Sequence, residues 1–472
     1  MVFDTLYASD HAFSPQPQMA AGHVTEDDGR TWKITLRDGL LFHDGNKVLA
    51  RDCIASIKRW GARDAFGSTL MATTDELSAT DDKTFVFRLK KPFPLLTAAL
   101  GKLGSPICAM MPERLASTDP FKQVTEMVGS GPFRFKADER VQGSLFVYEK
   151  FAKYKPREGG MPDWTAGPKI AWFDHVEWHV IPDAGTAAAA LQTGEVDWWE
   201  LPTVDLEPLL SHNHDLHVFI NDPTGQIACL RFNQVTPPFD NPGVRRAMLL
   251  GLSQEDTMIA VGGEDPKWRH VPAGIFTPGT PMATDVGLDV FTAPRDYDAA
   301  KRALAAAGYK GERVAFMVPT DFPILKAEAD VTADAMKKIG MNVDYQAIDW
   351  ASVVARRAKR DPLDQGGWSA FCTVWAGFDQ LNPAVHTFLR GNGDAGTMGW
   401  PRSPEIEELR TQWLDAPDVP AQKAIAEKLQ LQALTDLPYM PLGQNFYPTA
   451  TRANITGLTE GFPKFWNVQR RS

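Results

Sequence analysis

Three times in this chain a helix-forming run stops at a glycine with a strand-forming run close by, and that punctuation restricts it to alternating α/β architectures. Thr186 to Thr193 is Ala-rich, halts at Gly194 and feeds the aromatic pair Trp198-Trp199. Asp298 to Ala307 stops at Gly308 ahead of the apolar run Val314 to Val318. Leu325 to Ile339 stops at Gly340 ahead of Asn342 to Ile348. With the strand His175 to Ile181 before it, the first passage reads as a βαβ-like unit, for which parallel strand pairing is expected. A chain of 472 residues is too long for one hydrophobic core, so two or three lobes are expected.

The amino-terminal part has a different grammar. Trp32 to Leu36 and Thr84 to Leu89 alternate in the period of strands, and Ala50 to Trp60 has the period of a helix. That helix is expected to turn Cys53, Ile54, Ile57 and Trp60 inward and Arg51, Ser56, Lys58 and Arg59 outward. Residues 1–128 therefore read as a small accessory α/β lobe. From Gly129 longer strands begin, at 131–135, 144–148 and 175–181, and 129–228 reads as a first main lobe. Ile227 to Phe232 opens another strand, and a helix from Pro242 carries Val244, Ala247, Met248 and Leu249 inward, so 229–450 reads as a second main lobe. A last helix, about 420–434, precedes a tail, 451–472, expected to return to the first main lobe.

Charge and composition exclude several classes. Asp and Glu number 59 against 49 Lys and Arg, a net charge of −10, and such a field repels phosphate backbones and anionic lipid, so nucleic acid is not an expected partner. No run reaches the eighteen or so apolar residues of a membrane helix. Cys53, Cys108, Cys229 and Cys372 are far apart and form no C-x-x-C pair, which argues against a zinc ribbon or a thioredoxin-type site and leaves either buried thiols or one or two disulfides. No H-E-x-x-H, G-x-S-x-G, Walker or dinucleotide-binding motif is present.

A family resemblance rests on blocks in a fixed order. Asp28-Gly29-Arg30-Thr31-Trp32-Lys33-Ile34-Thr35-Leu36-Arg37-Asp38-Gly39 with Phe42-His43-Asp44-Gly45 comes first, then Gly129-Ser130-Gly131-Pro132-Phe133 and Gly194-Glu195-Val196-Asp197. Pro238-Phe239-Asp240-Asn241-Pro242-Gly243-Val244-Arg245-Arg246-Ala247 and Asp298 through Gly308-Tyr309 follow. The set resembles the peptide and nickel type of solute-binding protein of ABC importers, extracellular solute-binding family 5. The resemblance implies a two-lobed periplasmic-binding-protein type II fold, the Venus-flytrap clamp, with an additional small lobe. It implies a periplasmic, monomeric receptor that closes on a small-molecule or peptide ligand in an inter-lobe cleft and hands it to the transmembrane subunits of an ABC permease. Catalysis and cofactors are not expected. Members of this family open with a signal peptide and a first-lobe strand before the segment matching Val2 to Tyr7, so a truncated start with an unpaired sheet edge is expected here.

The binding residues expected are Trp375, Phe378, Asp379, Asn382 and Trp400. The first four occupy a Gly- and Pro-punctuated loop after a strand, at the carboxyl edge of a sheet, where ligands bind in α/β folds. A carboxylate beside aromatics suits an ammonium group, although the same residues could equally cap a turn and fill a core. Dipeptide-binding relatives place an Arg just after the strand matching Val314 to Val318, where this chain has Pro319-Thr320-Asp321, and the matching Asp is displaced by one position. The resemblance therefore implies an amine-bearing or modified peptide cargo rather than an ordinary dipeptide. His175, Glu177 and His179 alternate on one strand, and His212, His214 and His217 crowd one loop, but neither set supplies the convergent ligands of a metal site, so no metal is expected. A carboxylate-dependent hydrolase is the alternative reading, since such pairs follow no spacing rule.

Overall fold

Strand edges and helix stops divide the computed structural model, which describes residues 1–471, into two compact units. Unit 1 comprises Met1–Pro223 with the chain from Pro448 onward, and unit 2 comprises Thr224–Tyr447. The expected junctions at 228 and 450 fall inside the strands Gln226–Phe232 and Thr449–Arg452, and the units part just before each.

Unit 1 opens with a four-stranded antiparallel sheet of Ala20–Glu26 (β1), Thr31–Leu36 (β2), Thr74–Ala79 (β3) and Thr84–Leu89 (β4), in the order β1-β2-β4-β3. The helix Ala50–Gly61 (α1) buries Cys53, Ile57 and Trp60, as its period requires. Ser56, expected to face out, is buried too: its Oγ donates to the Met111 carbonyl at 3.1 Å and accepts from the Met111 amide at 3.0 Å, which satisfies a small hydroxyl in the core. A second antiparallel sheet joins Phe133–Phe135 (β5), Leu145–Lys150 (β6) and His175–His179 (β7). Helix Ala184–Thr193 (α2) ends on Gly194, whose φ of 80° is the left-handed stop that the glycine allows.

The strand after α2, Trp198–Trp199 (β8), does not pair with β7. The return strand Thr449–Arg452 lies between β8 and Leu216–Phe219 (β9), antiparallel to both, so β7 and β8 belong to different sheets. The parallel unit expected here is therefore absent among the described residues, because β8 finds its hydrogen-bond partner in the carboxyl-terminal tail.

A buried ion pair sits in this unit. Lys169 Nζ lies 2.7 Å from Asp4 Oδ1, Tyr154 donates to Asp4 Oδ2 at 3.0 Å, and the ammonium stands 4.8 Å from the centre of the Trp466 ring. Burial alone would raise the Asp4 pKa, but the charge and hydrogen bond of Lys169, the Thr5 amide and the Arg37 charge together turn the net shift downward.

In unit 2 the parallel grammar holds. Gln226–Phe232 (β10), Arg269–His270 (β11), Arg313–Pro319 (β12), Asn342–Ile348 (β13), Ala370–Ala376 (β14) and Met440–Asn445 (β15) form one sheet in the order β11-β15-β10-β14-β12-β13. Strand β12, between β14 and the edge strand β13, runs parallel to both, and β10 is antiparallel to β14 and to β15. Side chains alternate across the sheet. Ala228, Leu230, Phe232, Phe316, Ala370 and Cys372 face one core, shared with Val244, Ala247 and Met248 of helix Pro242–Gly251 (α3) and with Tyr297–Ala306 (α4) and Pro323–Lys338 (α5). Ile227, Cys229 and Arg231 of β10, with Phe371, Thr373 and Trp375 of β14, take the opposite face. All four cysteines are free and buried, and burial raises each thiol's pKa. No described helix is long and apolar enough to cross a membrane.

Helix α5 carries Glu328 into the core with no exposure, and neither carboxylate oxygen has a hydrogen-bond partner among the described residues. Burial drives its pKa well above the usual carboxylate range. The folded protein then holds a proton that the unfolded chain releases above about pH 4.3, so this residue's contribution to stability is complete below that value and is lost as pH rises toward the raised folded pKa. Glu328→Gln should therefore melt higher than the parent near neutral pH, with the gap widening by about 1.4 kcal/mol per pH unit across that window. Denaturation at pH 5, 6.5 and 8 checks this, and a constant or inverted gap would contradict it.

Candidate functional site

Because β12, β13 and β14 are parallel, their carboxyl ends meet at one edge, marked by the Pro319–Ile348 pairing and, on β14, by Trp375 and Ala376. The chain then turns through a 3-10 segment, Gly377–Gln380, that carries Phe378 and Asp379. Gly377 makes that turn possible: a Cβ there would come 2.1 Å from the Thr224 carbonyl oxygen, and its amide donates to Gly225 O at 2.8 Å. Thr277 Oγ1 donates to the Gly377 carbonyl at 2.7 Å.

Beyond the turn, side-chain hydrogen bonds hold the loop. The Tyr439 hydroxyl lies 2.9 Å from His386 Nε2 and 3.2 Å from Gln380 Oε1, and Gln380 Nε2 reaches Cys229 Sγ at 3.7 Å. All of these groups are buried. Burial, helped by the nearby Arg231 and Arg410 charges, pushes the His386 pKa down to about 3, so the ring is neutral at physiological pH and acts as a fixed hydrogen-bonding post.

The five residues expected from sequence divide by environment. Trp375, Phe378 and Asp379 are half-buried along the strand end and the turn, and the Trp375 ring centre lies 4.6 Å from that of Phe388. Asn382 Oδ1 accepts from the amides of Ala384 and Val385, at 3.0 and 3.3 Å, and so caps the next turn. Trp400 is 7% exposed, has a φ of 47°, and packs with Met317, Trp368 and Phe371 while the Arg360 guanidinium lies 4.4 Å above its ring.

Arginines were not anticipated at this face. Arg231, next to last in β10, is buried, and among the described residues its hydrogen-bond acceptors are carbonyls: it donates to Met398 O at 2.5 Å and Pro438 O at 3.4 Å, with its guanidinium 4.1 Å from the Phe388 ring centre. Burial lowers its pKa to about 10. A lone Arg inside the apolar run Ile227 to Phe232 was the available signal.

Unit 1 holds a separate cavity of about 490 Å³, lined by β7 and by Glu195 to Leu201 and bordered by Phe465. The amides of Val180 and Lys150 tie β7 to β6, so the intervening His175, Glu177 and His179, which line this cavity, direct their backbone groups away from β6. Trp178 and Trp198 pack against Phe465 at 5.5 and 5.0 Å. His179 Nε2 lies 2.9 Å from Glu177 Oε2, and among the described residues no three His, Cys, Asp or Glu side chains are placed to hold a metal ion. None of the five expected residues lines this cavity.

Residues 14–396 match the family model described as bacterial extracellular solute-binding proteins, family 5 Middle. A probable peptide ABC transporter periplasmic-binding protein of Sinorhizobium fredii is 36% identical over 99% of this chain and 88% of its own length. A glutathione-binding protein of Pectobacterium atrosepticum is 25% identical over 93% of this chain and 82% of its own. Among solved structures, an Agrobacterium tumefaciens periplasmic binding protein in complex with agropinic acid superposes with a TM-score of 0.80 at 20% identity, covering 100% of this chain and 93% of that one. The oligopeptide-binding protein of Bacillus subtilis in complex with a nonapeptide gives 0.79 at 20% identity, with the same coverage.

Replacing Gly377 with Ala sets a methyl group against the Thr224 carbonyl, which backbone movement alone can relieve, at a cost of about 1–3 kcal/mol. Urea denaturation of Gly377→Ala reads this directly, and an unchanged midpoint would show that the turn does not need its glycine.

Proposed function

We propose, from the premise that this chain belongs to the family 5 bacterial extracellular solute-binding proteins, that its cargo is a peptide-like or amine-bearing small solute taken at the carboxyl edge of the unit 2 sheet. The protein is a solute-binding receptor of an ABC importer and not an enzyme, and the hydrolase reading has no support among its relatives. Its fold is the two-lobed α/β fold of that family.

The observation that carries the cargo reading is the Trp375 to Asp379 segment. It offers two aromatic rings and a carboxylate, all half-buried, on a turn fixed from below by the Tyr439 network. An ammonium group gains a charge-assisted hydrogen bond from such a carboxylate and attraction from the ring faces. In this reading Trp375, Phe378 and Asp379 touch the cargo, and Asn382 and Trp400 shape the loops around them. The peptide and glutathione named for its relatives support a cargo of amino-acid character. The same reading has the receptor working as a monomer in the periplasm, with 1–128 as a small accessory lobe.

Asp379→Ala and Trp375→Ala should each weaken cargo binding about tenfold or more while shifting the ligand-free melting temperature little, since a charged hydrogen bond is worth about 1.5–3 kcal/mol. Calorimetric titration of amine-bearing peptides, paired with melting curves, separates the two effects. Equal affinity with a lowered melting temperature would assign both residues to the core.

A further inference from the structure

Two strand edges of unit 1 border one cavity. Every residue of β7, and every residue from Glu195 to Leu201, a run that contains β8, lines the space of about 490 Å³. Side chains alternate along a strand, so a cavity touched by consecutive residues lies along the backbone edge and not over one face. Among the described residues β7 is the last strand of its three-stranded sheet, and β8 is the last strand of another. His175, Glu177 and His179 turn their backbone groups away from β6. At β8 the Arg452 amide donates to the Asp197 carbonyl at 2.9 Å, so Asp197 and Trp199 are the residues bonded to the return strand and the Trp198 backbone faces the other way. The Trp198 Nε1, also in the lining, is buried without a hydrogen-bond partner among the described residues.

Two such rows of backbone donors and acceptors are a template for one more strand, which can pair with both at once. The side chains around the gap set the pattern that this strand needs. Trp178 and Trp198 converge on Phe465 on one side, and Trp199 packs with Ala188 and Leu191 on the other. The start of the chain adjoins the same place. Met1 packs on the cluster of Phe133, Val176 and Trp466 that Phe465 also joins, and Val176 and Phe465 line the cavity. The Phe133 amide donates to the Met1 carbonyl at 3.4 Å and the Gly131 amide to the Val2 carbonyl at 2.8 Å, which holds the first residues in the fold. Chain termini ordinarily lie in water, whereas this α-amino group is buried near Lys169, and its pKa falls to about 5 although Asp4 opposes the shift. A peptide bond at that nitrogen removes the charge. We infer that the gap between β7 and β8 is a strand-acceptor site, and that its occupant is an extended segment of the same polypeptide joined ahead of Met1, with apolar residues at alternate positions toward Trp178, Trp198 and Phe465. Paired on both sides, that segment joins the two three-stranded sheets into one.

The test extends the full chain at its amino end with the strand Val-Thr-Val-Thr-Val-Thr-Val on a Gly-Ser linker of about 20 residues, which spans about 25 Å on average. The linker alone, and the same extension with Pro at each Thr position, which removes the donors there, are the controls. Hydrogen exchange over 175–179 and 195–201 and thermal melting are the readouts. The strand is expected to slow exchange of the His175, Glu177 and His179 amides about tenfold or more and to raise the melting temperature above that of the linker-only chain, and the Pro extension should do neither. Glu177→Pro, at an amide that faces away from β6, should melt like the parent without the strand and lose most of the gain with it. Unchanged exchange at those amides, or protection that the Pro extension matches, overturns the acceptor site. The linker-only chain tests the source. A terminal amine whose pKa is lowered on folding costs stability as pH falls below its unfolded value, about 7.7–8, so the linker should stabilise more at pH 6 than at pH 9. Equal melting of parent and linker-only chain at both pH values overturns the assignment of the occupant to the chain ahead of Met1.

Discussion

The parallel register of three strands in unit 2 is the constraint from which the rest of the site follows. Once β12 pairs with both β13 and β14 in the same direction, three chains must leave the sheet at one edge. Each connection must then cross that edge and satisfy its backbone there. Trp375, Phe378 and Asp379 come to the same place because β14 ends there, and the Gly377 turn keeps them there by packing against Thr224. In unit 1 the same grammar gives a different result, since β8 pairs with the returning tail and β7 is an edge strand among the described residues.

What holds the edge is polar rather than apolar. The loop after β14 contains little regular structure, and its position depends on buried side-chain hydrogen bonds among Tyr439, His386 and Gln380 and on the Thr277 to Gly377 bond. Such networks specify one arrangement, because any partial shift strands a buried donor or acceptor at a cost of about 1–3 kcal/mol. A neutral His386 suits this role, since a charged imidazole there would be repelled by the Arg231 and Arg410 charges. Glu328 is the counterexample, a buried carboxylate with no hydrogen-bond partner among the described residues.

Much of this was legible in the residues. Glycine stops at Gly194, Gly308 and Gly340 located three helices to within a few residues, because a left-handed φ at a helix end is a local demand that few other residues meet. The alternation of Trp32 to Leu36 and of Thr84 to Leu89 located two strands for the same local reason. Pairing was less legible: whether β8 would join β7 depended on a tail some 250 residues away. Ser56 was misplaced because helical period alone treats a hydroxyl as polar, whereas one carbonyl and one amide of Met111 make it a satisfied core residue. The structure puts Trp375, Phe378 and Asp379 where the sequence pattern set them, at the end of β14 and on the turn that follows, whereas the buried Arg231 was signalled only by a single Arg inside an apolar run, because what surrounds a side chain in three dimensions leaves little mark on the sequence.

The receptor account stands most directly on whether a bound small molecule leaves the protein as it entered. Mass spectrometry of compounds released from the purified protein, followed by rebinding of the dominant species and its recovery after prolonged incubation, measures this. A single small solute of amino-acid character, saturating at one per chain and recovered intact, is the expected result. A solute consumed or chemically altered during incubation, or a protein that retains and rebinds none, would contradict it.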